Sequence, residues 1–466
     1  MSPFEQAIQQ VDFDADLIRR YDTAGPRYTS YPTAVQFHEG FTARDYREQA
    51  RLSNHSGRPL SLYVHIPFCD TVCYYCACNK VVTKDRSRAR PYLDRLFREV
   101  QAQAALFDRG RPVRQLHLGG GTPTFISHEE MAELMTTLAS HFGLLDDDQG
   151  EYGIEIDPRE VGGDTLALLR RLGFNRLSLG VQDFDPRVQH AVNRIQPASQ
   201  TLDVLEEARR AGFRSISVDL IYGLPLQTPA SFAVTVERMI QAAPDRISVF
   251  NYAHLPERFK PQRRIREQDL PSPADRLMIL QQTIAQLTEA GYVYIGMDHF
   301  ARPDDELAVA QREGTLYRNF QGYSTHADCD VIGLGVTSIG MVQDCYAQNL
   351  HELEAYKSRI DAGELAVFRG VLLDADDRLR RDVINALICH FRLDFAAIQA
   401  RHGIDFADYF QGELGALQPM VADGLVSLDD QGISVTGRGR LLIRNICMVF
   451  DRYTREASGT RHSRVI

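Results

Sequence analysis

Four of the chain's eight cysteines, Cys69, Cys73, Cys76 and Cys78, fall within ten residues, and nothing else in the sequence limits the fold so strongly. The first three are spaced C-x3-C-x2-C on a loop directly after the apolar run Leu60–Ile66. Clustered thiols in a reducing compartment point to metal rather than to disulfides. Zinc usually draws on two separated cysteine pairs, whereas here all four sit in one loop. Three thiolates instead suit a cubane iron–sulfur cluster, leaving one iron open to an outside ligand. The scattered Cys329, Cys345, Cys389 and Cys447 are expected to serve as small buried hydrophobes.

The loop sits at the head of a repeating pattern. Candidate strands at Leu60–Ile66, Val113–Leu118, Tyr152–Asp157, Arg176–Val181, Ser215–Tyr222 and Arg246–Tyr252 alternate with amphipathic helices. Repeated βα order predicts a parallel sheet curved into a partial barrel, with chemistry gathered at the strands' C-terminal ends. Further strands are expected at Tyr292–Met297 and Val331–Val336. From residue 371 the pattern turns helical, with a hairpin around Leu425–Val435 that suggests a winged-helix-like module. The expected division is an N-terminal arm over 1–58, with a helix-like start and an irregular Gly25–Thr33, then a barrel domain over 59–370 and a C-terminal domain over 371–466.

Composition sets limits on function. With 466 residues, 44% of them apolar, the chain can bury a large core, while its net charge of −10 argues against a broad nucleic-acid footprint. Neither a signal peptide nor the roughly 20-residue apolar run of a membrane span is evident, so a cytoplasmic protein is expected.

Motifs follow the other strand ends. The run Gly119-Gly-Gly-Thr122 lacks the G-K-[ST] ending of a phosphate loop but lets backbone approach a ligand closely. Glu155, near a strand end, could accept hydrogen bonds from ribose hydroxyls.

The cysteine spacing after a first barrel strand resembles the radical S-adenosylmethionine superfamily. Along nearly its whole length the chain is similar to one family within it, the oxygen-independent coproporphyrinogen III oxidases. The segments Gly25-Pro-Arg-Tyr-Thr-Ser-Tyr-Pro, the four-cysteine loop, Asn319-Phe-Gln-Gly-Tyr323 and Leu442-Ile-Arg-Asn-Ile-Cys-Met448 carry the resemblance. It implies a [4Fe–4S] cluster on Cys69, Cys73 and Cys76, and two S-adenosylmethionine molecules contacted by Tyr63, Tyr75, Gly120, Gly121, Thr122, Glu155, Gln182, Arg194, Asp219, Ala253 and Ile339. It further implies that Cys78, Phe320 and Gln321 bear on activity without binding the cluster. Arg27 is a candidate for the substrate's carboxylates, because a guanidinium fork matches a carboxylate. The activity implied is conversion of two propionates of coproporphyrinogen III to vinyl groups, in haem synthesis, by a monomer served by a separate reductant. A haem-trafficking relative of the same fold is the alternative, and an iron-sensing winged-helix regulator a more distant one.

Overall fold

The structure, a computed structural model, describes residues 11–456, with side chains through Thr454. The helix-like pattern at the extreme N-terminus lies outside the described residues. The chain forms two compact units, one of residues 36–279 and 328–372, the other of residues up to 35, 280–327 and 373 onward.

The first unit is built on a sheet whose parallel strands follow chain order: β1 (Leu60–Ile66), β2 (Pro112–Gly120), β3 (Glu151–Ile156), β4 (Arg176–Gln182), β5 (Ser215–Tyr222) and β6 (Arg246–Asn251). All six expected strands are present, with ends differing by no more than two residues. The other neighbour of β1 is β7 (Asp330–Leu334), also parallel, so the ring does not close on β6. From β7 the sheet continues antiparallel through β8 (Ile339–Val342), β9 (Cys345–Asn349) and β10 (Val367–Leu372). β1 is buried on both faces apart from Tyr63, as a central parallel strand requires. The helix Ala89–Ala104 buries Tyr92, Leu93, Leu96 and Val100 at helical spacing.

Glu99 on that same helix is also buried, and it accepts from Gly335 N at 2.7 Å, Tyr356 Oη at 2.7 Å and Asn349 Nδ2 at 2.6 Å. It thereby fixes the turn after β7. Burial pushes its carboxyl up to about 7 against the pull of these donors.

Packing divides the chain differently from the linear arm, barrel and C-terminal domain expected above. Residues 36–58 belong to the barrel unit: His38 bridges Gly370 of β10 by two backbone hydrogen bonds, and Phe37 stacks on Tyr346. Residues 11–35 belong to the other unit and pack into it. Tyr28 and Tyr31 are 3% and 2% exposed, Tyr28 Oη donates to Asp451, and Arg444 donates to the carbonyls of Gly25 and Pro26. The prolines and hydroxyl residues of this segment hid two tyrosines that serve as core.

In that second unit, helices Ala375–His390 and Gln411–Ala422 cover the helical patterns that the sequence shows at Asp377–Phe391 and Leu414–Val421, and the hairpin Val426–Leu428 with Gly432–Val435 gains a third strand, Arg392–Asp394. It also holds the hairpins Val293–Gly296 with His299–Ala301, and Tyr317–Asn319 with Gly322–Ser324. Cys329, Cys345, Cys389 and Cys447 are all buried, as small core residues would be. Among the described residues no helix is long and apolar enough to cross a membrane.

Candidate functional site

The loop after β1 is fastened on both sides. Its first part pairs in parallel with Val81–Val82, Thr83 N donating to Cys69 O at 2.9 Å, and its middle is held by Tyr74 N to Val192 O at 2.9 Å and Asn193 Nδ2 to Val72 O at 2.8 Å. So held, Cys69, Cys73, Cys76 and Cys78 line one cavity of about 210 Å³ at the C-terminal ends of β1 to β5.

Polar groups surround the sulfurs. Thr122 Oγ1 lies 3.7 Å from Cys69 Sγ, and Arg194 Nη1 and Arg159 Nη2 lie 3.6 and 3.9 Å from Cys73 Sγ. Both guanidinia share one carboxylate, Asp157, at 2.9 and 2.6 Å. Burial works to raise the Asp157 pKa, but Arg194 and Arg159 outweigh it and hold the group down to about 2. Two cations on one anion leave net positive charge beside the Cys73 sulfur. Cys69 is pushed up to about 12 by burial despite the Thr122 hydroxyl. The hydrogen bond from Cys78, together with Lys80, draws Cys76 down to about 5, while the same bond raises Cys78.

The facing wall comes from the other strand ends. Gly120 has φ +116°, and a Cβ there would stand 2.6 Å from the His65 ring; one on Gly121 would stand 2.5 Å from Phe68 O. The glycines are therefore needed to seat this turn against the end of β1, as well as to line the cavity with Thr122. Glu155 accepts from His117 Nε2 at 3.3 Å and Gly120 N at 3.2 Å; burial would raise its pKa, but these partners keep it lowered. Asp219 faces the same space and is pushed up to about 7, by burial first and then by the charge of Glu155. Gln182 closes β4 with φ +69° at a register shift, and its Oε1 is buried without a hydrogen-bond partner. An orphaned acceptor in a left-handed conformation implies a constraint that a ligand would relieve.

Twelve of the expected site residues thus share the cavity lining: the four loop cysteines, Tyr75, Gly120, Gly121, Thr122, Glu155, Gln182, Arg194 and Asp219. Tyr63 stands behind it, stacked on His117 at 6.1 Å, with its hydroxyl 3.2 Å from His65 Nδ1. Ala253 is outside the lining, but Gln262 Nε2 donates both to its carbonyl, at 3.2 Å, and to that of Tyr75, at 3.0 Å. Ile339 begins β8 against Gly333. Arg27, Phe320 and Gln321 belong to the other unit, where Arg27 pairs with Asp298 at 2.8 Å and Phe320–Gln321 form the turn of a hairpin.

Sequence reading passed over Asp157, Arg159, His65 and His117. Period-two alternation carried a usable signal: Asp157 is two residues beyond Glu155, and His65 two beyond Tyr63. The donor set fits an iron–sulfur cluster: three soft ligands on one loop, hydrogen-bond donors turned toward the sulfurs, and a polar chamber beside them.

Comparison with known proteins agrees with this geometry. The Radical SAM superfamily profile matches residues 63–239, and that of the HemN C-terminal domain residues 373–442. The chain is 58% identical over 459 residues to an oxygen-independent coproporphyrinogen III oxidase of Pseudomonas aeruginosa, spanning 98% of this chain and 100% of that protein. It is 54% identical to the one of Escherichia coli, spanning 99% and 100%. The solved coproporphyrinogen III oxidase (HemN) from Escherichia coli, described as a radical SAM enzyme, superposes with a TM-score of 0.91 at 53% identity, covering 96% of this chain and 100% of that one.

Proposed function

Because the chain belongs to the oxygen-independent coproporphyrinogen III oxidases of the radical SAM superfamily, we propose that it decarboxylates two propionates of coproporphyrinogen III to vinyl groups, giving protoporphyrinogen IX for haem synthesis. The observation that carries this reading is the convergence of Cys69, Cys73 and Cys76 with Glu155, Asp219 and Gln182 on one cavity. In this reading Cys69, Cys73 and Cys76 hold the [4Fe–4S] cluster. When bound, the cluster supplies the electron that cleaves S-adenosylmethionine to the carbon radical that starts the reaction.

The chain's own residues do the remaining work. Thr122, Arg159 and Arg194 offset the negative charge that accumulates on the thiolates, with Asp157 fixing both guanidinia. Glu155, ionised and oriented by His117, accepts from the cofactor's hydroxyls, and Asp219, near its midpoint at neutral pH, either accepts or donates. Gln182 offers an acceptor that has no partner among the described residues. Tyr75 packs on Val188, Val192, Leu224, Tyr252 and Ile265, a rigid apolar bed for a flat purine. Tyr63, Gly120, Gly121, Ala253 and Ile339 complete the cofactor set, and Cys78, Phe320 and Gln321 support turnover. A second S-adenosylmethionine, a separate reductant, a monomeric state and a cytoplasmic location belong to the same proposal.

Anaerobic incubation of the reconstituted protein with coproporphyrinogen III, S-adenosylmethionine, a low-potential reductant and a one-electron acceptor, which takes the electron released as each substrate radical loses carbon dioxide, tests it. Loss of two carbon dioxide molecules with formation of two vinyl groups is expected. Reductive cofactor cleavage without any vinyl product would refute the substrate assignment.

A further inference from the structure

The unit that contains residues 280–327 buries a guanidinium that pairs with no carboxylate among the described residues. Arg318, on the strand Tyr317–Asn319, is 5% exposed, and its Nε and Nη1 are buried without a hydrogen-bond partner. The Tyr323 ring lies 4.7 Å from the guanidinium and opposite it in the hairpin register. The nearby carboxylate Asp298 is taken by Arg27 at 2.8 Å. A further guanidinium, Arg444, donates to the neutral carbonyls of Gly25 and Pro26. Arg444 is held down to about 10 by burial first, then by the repulsion of Arg27, with Arg318 adding to it and Asp298 opposing. The surroundings are cation-rich.

A buried charge without a partner is strongly disfavoured, and a tyrosine face offsets only part of the cost. The turn of the same hairpin carries a second orphan, Gln321 Nε2, also buried and without an acceptor. The unmet groups are donors, so what they lack is an acceptor, and a planar two-oxygen anion suits a guanidinium fork.

We propose that the hairpin Tyr317–Ser324 is a carboxylate-binding site for a propionate of the tetrapyrrole, with Arg318 binding the carboxylate and Gln321 donating a further hydrogen bond. This rests on the oxidase reading and assigns to Arg318 a substrate-binding role.

The test compares binding of coproporphyrin III, followed by its own fluorescence, with binding of its neutral tetra-amide, for wild type, Arg318→Met and Arg318→Lys. A far-ultraviolet circular dichroism spectrum and a cooperative melting transition like those of wild type certify the fold of each variant. The tetra-acid should bind Arg318→Met at least about 30-fold more weakly than wild type, since the truncated partner faced a buried charge. The tetra-amide should change by less than about threefold. Arg318→Lys, which keeps the charge but loses the fork, should fall between.

Should the Met variant not fold, wild type and Arg318→Lys still decide: the tetra-acid, and not the tetra-amide, should raise the wild-type melting midpoint, and by less in the Lys variant. Equal tetra-acid affinity in wild type and variants overturns the site, as does equal affinity of wild type for acid and amide. Failure of wild type to form vinyl product would instead remove the oxidase reading, and this inference with it, and is read on the unmodified protein alone.

Discussion

Replacement by serine should separate Cys78 from its three neighbours. Cys69→Ser, Cys73→Ser and Cys76→Ser should each lose the cluster, because a hydroxyl is a poor ligand for a soft iron centre. Cys78→Ser should keep it. Iron and sulfide analysis decides, and a full complement in Cys73→Ser would reject the three-ligand assignment. Asp157, 7% exposed, is bonded to both Arg159 and Arg194. Asp157→Asn leaves two guanidinia beside each other with no counter-charge and should destabilise the fold by about 3–5 kcal/mol, measured by denaturant unfolding at pH 7. Its folded pKa, near 2, lies below the ordinary carboxylate value, so its stabilisation is present above about pH 4 and disappears as pH falls toward 2. Asp157→Asn should therefore differ most from wild type near neutrality and least near pH 2.

At the scale of elements, one close approach joins the segment around His38 to the last strand of the barrel unit. Gly370 exchanges backbone hydrogen bonds with His38, and a Cβ there would meet Tyr346 O and the Phe41 ring at 2.3 and 2.5 Å. Gly370→Ala should destabilise the protein by about 1–3 kcal/mol, and hydrogen exchange at His38 should rise with it. Glu99 ties its helix to the turn after β7. Glu99→Ala removes the acceptor of three buried donors and should cost about 3 kcal/mol or more, read from the urea midpoint. The strands themselves were legible, because β-branched and apolar runs bounded by glycine and polar residues are local signals. The third strand of the C-terminal sheet, Arg392–Asp394, was not: it is three residues long and exists because Gly432–Val435 pairs with it.

For the molecule as a whole, three partly or fully buried carboxyls, Glu99, Glu160 and Asp219, are each raised to about 7, first by burial. In each the folded state holds its proton more tightly than the unfolded chain, so each lowers stability as pH rises from about 4 to about 7. The melting midpoint of the cofactor-free protein should fall across that window, and Asp219→Asn should fall less steeply; a slope unchanged by that substitution would count against the raised value. What the sequence determined by itself was whatever rests on neighbours along the chain: the cysteine spacing, the βα alternation, the glycine turn, and the resemblance that names the family. Pairings between distant segments required the tertiary structure. Tyr28 and Tyr31 lie in a stretch whose local composition reads as irregular, yet they are core because Asp451 and Tyr453, some 420 residues away, pack against them. Asp157 reads as an ordinary strand-end acid, and only the fold brings Arg194 both to it and to Cys73. Local sequence encodes propensity and period, while burial and charge balance are sums over neighbours in space, and for those residues the neighbours are supplied by the fold.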